Sequence, residues 1–291
     1  MLRVKGTRLG LAVTTDGNAR YCHLDPHLGA QLAVAEAARN IVATGARPVA
    51  ITDCLNFANP DRPEVYWEME ETITGLAYAC RQLDLPVVSG NVSLYNESAE
   101  SAIYPTPVVG MVGVIDDYAK RVQAGFRAEG DFVLLIGSSH NDLGGSEYLK
   151  VEHGYVAGRP PALDLAREQA VNRVILTAAQ NRYLHSAHDC AEGGMLVALA
   201  ECCLLGGVGV RCPALRPEPP LRLDAAFFGE SQGRYIVSVP SRAMPEVQSL
   251  ARRHNVELSL LGLTGGDVLE FEGQVKLSLL ELRQAWEAMV N

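Results

Sequence analysis

The sequence predicts two consecutive α+β / α/β units: a mixed-sheet amino-terminal domain over residues 1–118 and an α/β carboxy-terminal domain over 119–291. Three observations carry this. At 291 residues the chain has room for about two domains of roughly 150 residues each. Strand-like and helix-periodic segments alternate through the first 118 residues. The run DDYAKRVQAGFRAEGD at 116–131 then turns polar, and a new apolar strand, FVLLIG at 132–137, follows at once.

The elements of the first unit follow in order. RLGLAVTT at 8–15 is strand-like and ends in the turn DGN. GAQLAVAEAARNIVAT at 29–44 places apolar residues at helical spacing and stops at Gly45. ARPVAITDC at 46–54 is a strand closed by Asp53 and Cys54. EVYWEMEETITGLAYACRQL at 64–83 is a helix with Pro63 just before it. LPVVSG at 85–90 reads as a buried strand, followed by a polar loop through Tyr104, and TPVVGMVGVID at 106–116 is another strand. In the second unit helices are expected at 164–182, 194–205 and 244–254, and strands at 184–190, 234–240 and 256–264. The proline- and arginine-rich stretch 211–223 reads as an irregular connection.

Composition narrows the function classes. A net charge of −9 argues against nucleic-acid or anionic-membrane binding, both of which call for a basic face. No signal peptide is visible, and the longest apolar runs, such as MLVALAECCLL at 195–205, fall short of the ~20 residues a membrane span needs. Seven cysteines without a CxxC pair indicate reduced thiols in a cytoplasmic protein and no metal–thiolate site. No GxxxxGK[ST] and no strand–GxGxxG occur, so neither a Walker A loop nor a dinucleotide fold has support.

Three strand ends carry oxygen-rich residues: TTDGN at 14–18, ITDC at 51–54 and SGNVSLYNE at 89–97. Asp16, Asp53, Asn91 and Glu97 supply oxygens of the kind magnesium accepts, and Gly90 allows close backbone approach. Each of them alone also fits a turn. In the second unit DCAEGGML at 189–196 puts Asp189, Glu192 and two glycines at a helix start, where backbone amides could hold an anion or a carboxylate could cap. LGGSEYL at 143–149 and FFGESQGRY at 227–235, with Glu230 and Arg234, are further glycine-flanked polar segments, although Arg234 also fits a surface ion pair. Arg39 and Asn40 are assigned to a solvent face, and Tyr66, Trp67 and Met69 to the core.

The stretches LDPHLGAQLAVAEAARNIVATGARPVAITDCLNFANP, VVSGNVSLYNE, HDCAEGGMLVALAE and FFGESQGR together resemble the synthetase subunit of phosphoribosylformylglycinamidine synthase, over essentially the whole chain and in its carboxy-terminal half. That family is an internal duplication of an aminoimidazole-ribonucleotide-synthetase-like unit, and the two parsed units fit its second copy. The resemblance implies an ATP-dependent ligase of purine biosynthesis. It would convert formylglycinamide ribonucleotide to its amidine with ammonia from glutamine, using ATP and Mg2+. It implies that Asp53 and Gly90 contact ATP, that Asn91 binds magnesium and that Ser93 contacts the ribonucleotide. Asp189, Glu192 and Glu230 would line a second, non-catalytic nucleotide pocket. The implied partners are the amino-terminal half of the synthetase, a glutaminase subunit and a small bridging subunit, with homodimer formation possible in isolation.

The chain departs from the whole enzyme in one place. Where the family's first copy carries ETHNHP together with a Lys and a His, this chain reads TTDGNARYCHLDP. The residues expected as general base and ATP clamp are absent, so the chain alone is expected not to turn over. The start MLRVKG, followed at once by a strand, suggests a truncation or a gene split. Two other readings stay open: a stand-alone kinase or synthetase of the same superfamily, and a non-catalytic nucleotide-binding structural half.

Overall fold

The computed structural model describes residues 1–99 and 101–288. They divide into two compact units. The first comprises Met1–Val42, Ala46–Ala119 and Leu143–Gln169; the second comprises Ala43–Gly45, Lys120–Asp142 and the chain from Ala170 on. Residues 143–169 therefore pack with the first unit although they lie beyond the polar stretch at 116–131.

The first unit contains β1 (Leu2–Arg3), β2 (Gly10–Asp16), α1 (Ala19–Leu24), α2 (Pro26–Ala43), β3 (Arg47–Asn56), α3 (Pro63–Leu83), β4 (Val87–Ser93), β5 (Thr106–Ile115) and α4 (Glu147–His153), and α5 (Leu165–Gln180) begins in it. The sheet order is β1-β2-β5-β3-β4, antiparallel except for the parallel pair β3–β4. Strand β5 alternates without a break, with Pro107, Val109, Met111, Gly113 and Ile115 buried. That period of two puts one face of the sheet on the helices. Helix α3 starts on Pro63 and buries Val65, Thr72, Leu76, Ala79 and Cys80, one stripe at spacings of three and four.

Several expectations are corrected here. Strand β4 is not buried: Val87, Val88 and Val92 are 47, 68 and 54 % exposed, because β4 is an edge strand with only β3 beside it. Its ladder also runs on past Gly90 through Asn91 and Ser93, so these two residues are strand rather than loop. Tyr66 and Trp67 are exposed on α3, and only Met69 of that trio packs against the core. Arg39 is fully buried, not on a solvent face; its guanidinium donates to Glu168 at 2.9 Å, which ties α2 to the start of α5. Asn40 is half-buried and donates to Asp16 Oδ1 at 2.7 Å.

The second unit contains β6 (Phe132–Ile136), β7 (Ser186–Asp189), α6 (Gly194–Gly206), β8 (Val210–Cys212), α7 (Leu223–Phe228), β9 (Tyr235–Val239), α8 (Met244–Arg253), β10 (Leu258–Thr264), β11 (Val268–Phe271), β12 (Val275–Ser278) and α9 (Leu279–Ala288). Its sheet runs β12-β11-β8-β10-β6-β9-β7, with β8–β11 the one parallel pair among the described strands. Mostly antiparallel pairing places it, like the first unit, in the α+β class. Strand β9 is buried at every position, and the apolar α6 packs beside it through Met195, Ala198, Leu199, Cys202 and Cys203. The stretch 211–223 is irregular only from residue 213 to residue 222, between β8 and α7. No helix among the described residues is long and apolar enough to cross a membrane.

Candidate functional site

The β3–β4 seam gathers the first unit's predicted residues and sorts them by face. The register pairs Thr52 with Ser89, Asp53 with Gly90, Cys54 with Asn91 and Asn56 with Ser93. Residues opposite one another in a ladder share a face, and their neighbours along the strand point the other way. Asp53 and Gly90 therefore stand on the helix-facing side, in one row with Val109 and Asp16. Asn91 and Ser93 stand on the outer side with Thr52, Cys54, Asn56 and Ser89. Beside this polar group, Leu11, Val13, Val112 and Val114 on β2 and β5 form an apolar patch on the outer face.

On the helix side, Asp53 has no hydrogen-bond or ion-pair partner among the described residues, and burial pushes its pKa up from the ordinary carboxylate value. Its charge also raises the Cys80 thiol, after burial, to about 11. Glycine at position 90 leaves the Asp53 carboxylate its place, because a Cβ there would lie 2.6 Å from Asp53 Oδ1 and push the side chain aside. Asp16, by contrast, accepts from Asn40 and from Thr14 Oγ1. On the outer side, the Asn91 amide nitrogen donates to Cys54 Sγ at 3.8 Å and is otherwise exposed.

The segment after β4 is braced. Asn96 donates to Phe57 O and Ser93 O, and Ser93 Oγ is bonded to the Asn96 amide. Glu97 accepts from the Asn59 backbone and pairs with Arg62 just before α3, and His23 stacks on Tyr104 with ring centroids 4.0 Å apart. Glu97 thus fastens the loop rather than offering both oxygens to a ligand.

In the second unit most of the singled-out polar residues bond within the fold, although Asp142 Oδ2 and Gln232 Oε1 are buried without a hydrogen-bond partner among the described residues. Asp189 ends β7 and is buried, and Glu192 is exposed on the turn that follows. The Gly193 amide, which the sequence offered to an anion, donates to Glu230 Oε1 at 2.8 Å, and the Gly194 amide donates to Ala191 O. Gly193 sits at φ +77°, so the turn needs glycine there. Arg234 does not lie at the surface. It is fully buried and donates to Ser231 O, Ser139 Oγ and Gly229 O. His188 donates from Nδ1 to Asp189 O at 2.7 Å and places Nε2 3.3 Å from Glu201. Burial alone would lower its pKa, but bonding to Asp189 and Glu201 outweighs this and lifts it to about 10.

Sequence reasoning missed Thr52, Cys54, Asn56 and Ser89. Their signal was the period-two spacing within ITDCLN and SGNVS, hidden when the end of the second stretch was taken for a loop.

Two α+β units with mixed sheets, a glycine-seated carboxylate and an amide-lined edge strand define a two-domain synthetase-like protein. The chain belongs to the AIR-synthase-related family: the model of that family's N-terminal domain matches residues 1–115 and that of its C-terminal domain residues 128–271. It is 50 % identical over 294 residues to a Moorella thermoacetica protein named phosphoribosylformylglycinamidine synthase subunit PurL, covering all of this chain and 40 % of that one. A PurL of the same name from Thermomicrobium roseum is 50 % identical over 290 residues, 98 % of this chain and 39 % of the relative. The chain thus spans about two fifths of the length of the curated relatives it matches. Among solved structures, T. maritima PurL complexed with FGAR matches with a TM-score of 0.80 at 20 % identity, over 94 % of this chain and 46 % of that one. Thiamine-monophosphate kinase from Stenotrophomonas maltophilia matches with 0.66 at 16 % identity, over 94 % and 88 %.

Proposed function

We propose that this chain is the carboxy-terminal half of the synthetase part of phosphoribosylformylglycinamidine synthase and forms one wall of an active site completed by the amino-terminal half. The observation that carries this is the β3–β4 edge. A carboxylate left without a donor, Asp53, lies over Gly90, while Asn91 and Ser93 look out from an unpaired strand beside an apolar sheet face. A partly shielded carboxylate without partners among the described residues can take a ligand that brings donors. A ribose hydroxyl or an adenine amine of ATP meets that need. An open edge flanked by exposed valines calls for a covering chain.

The donor set fits magnesium in part. Asn91 Oδ1 is a suitable oxygen ligand, but no carboxylate shares its face, and no group of three or more His, Cys, Asp or Glu among the described residues could hold a metal. Phosphate, water and the other half would supply the remaining ligands. Bound there, magnesium would neutralise phosphate charge during transfer. This chain's residues do the positioning: Asp53 orients the nucleotide, Gly90 leaves space beside it and Ser93 contacts the ribonucleotide. In the reaction so placed, the glycinamide carbonyl oxygen, not the formyl one, attacks the γ-phosphorus and ADP departs. Ammonia then adds at the activated carbon, and phosphate and a proton leave, giving the amidine. A glutaminase subunit supplies the ammonia and a small subunit bridges the two, all in the cytoplasm. This reading places no nucleotide at Asp189, Glu192 and Glu230, where Glu230 already accepts from the Gly193 amide.

The kinase-like fold match keeps a stand-alone phosphoryl-transfer enzyme as a second reading. The deciding experiment mixes this chain with the amino-terminal half, ATP, magnesium, ammonia and formylglycinamide ribonucleotide, and follows phosphate release. Release only on mixing supports the shared site, whereas release by this chain alone supports the second reading.

A further inference from the structure

We infer that Cys54 is a positioning residue for Asn91: its sulfur accepts the amide N–H2 and thereby leaves Asn91 Oδ1 available to a cation. The inference rests on the reading of Asn91 as a magnesium ligand. Cys54 lies directly opposite Asn91 in the β3–β4 ladder, on the same outer face. Two amide nitrogens approach its sulfur at 3.8 Å, those of Asn91 and Asn56. Asn56 is itself fixed, because its amide nitrogen also donates to Cys54 O and Thr106 O at 3.1 Å.

The orientation follows from the amide's chemistry. An Asn side chain has one donor end and one acceptor end on opposite sides of a planar carbon, and thiol sulfur is a weak acceptor. Holding the nitrogen on the sulfur directs the oxygen to the far side. Asn91 has no other side-chain hydrogen bond among the described residues, so without the thiol its amide would rotate freely between oxygen-out and nitrogen-out. Only the first can bind a cation, and partners of this kind typically tune metal affinity. Cys54 also differs from the other six cysteines, all of which are buried.

The test uses the reconstituted pair of halves and measures the magnesium concentration that half-saturates binding of a non-hydrolysable ATP analogue. Cys54→Val, which keeps the volume and removes the acceptor, is expected to raise that concentration about tenfold. Cys54→Ser, which restores an acceptor, should stay within about twofold of wild type, with melting temperatures unchanged in both. In an Asn91→Ala background Cys54→Val should have no further effect, since the thiol acts only through the amide. A normal magnesium requirement in Cys54→Val while Asn91→Ala raises it would overturn the inference and leave the metal reading intact, as would a serine variant as impaired as valine. An unchanged requirement in Asn91→Ala would overturn both.

Discussion

The two units carry similar-looking motifs, a glycine among acids and amides at the end of a strand, and use them in opposite ways. In the second unit the polar atoms close on one another: Glu230 takes the Gly193 amide, Arg234 spans three acceptors, and His188 lies between Asp189 and Glu201. In the first unit, among the described residues, Asp53 has no donor and the Asn91 side chain has only a sulfur. Polarity at a strand end marks a ligand site only where the fold leaves it unspent, since buried polar groups otherwise find internal partners.

That contrast can be broken by substitution, starting where the effect is largest. Arg234→Ala strips a fully buried cation from three acceptors and should cost about 3–5 kcal/mol in denaturant unfolding. The matching truncation in the first unit, Asn91→Ala, should change stability by less than about 0.5 kcal/mol. Equal costs at the two sites would erase the distinction.

His188→Gln should destabilise by about 2–3 kcal/mol near pH 6. The folded-state pKa of His188 is raised to about 10, so the stabilisation is fully present below its unfolded value of about 6.5 and is lost as the pH rises through about 10. Unfolding series at pH 6 and pH 10.5 should therefore bring wild type and variant together at the higher pH. Glu230→Ala should cost about 1–3 kcal/mol, because the buried Gly193 amide loses its acceptor.

The smallest effect has the opposite sign. Asp53 has a raised pKa, so its ionisation weakens the fold above the folded-state value, and the penalty disappears as the pH falls below the unfolded value. Asp53→Asn should stabilise by no more than about 0.5 kcal/mol at pH 7, as befits a largely solvated group, with no gain in acid. Differential scanning at the two pH values reads this directly, and a loss of stability in Asp53→Asn would show that the carboxylate has a partner after all.

Much of this was legible in the sequence. The alternation of TPVVGMVGVI gave β5, and the apolar spacing after Pro63 gave α3. Asp53, Gly90, Asn91 and Ser93 were singled out, but their division between two faces was not. Asparagine is a poor strand residue, so NVS after Gly90 read as a loop, while pairing with β3 overrides that preference. Burial of Arg39 was hidden for another reason: its partner, Glu168, lies 129 residues away in the chain. The exposure of β4 could not be read either, because apolar valines on an unpaired edge look like any buried strand.

Amide hydrogen exchange of the two halves mixed, with and without a non-hydrolysable ATP analogue and magnesium, tests the contrast most directly. The account predicts new protection over Val87–Ser93 and over Thr52–Asn56, and none over residues 189–194. Protection confined to residues 189–194, with β4 unchanged, would contradict it and move the nucleotide site to the second unit.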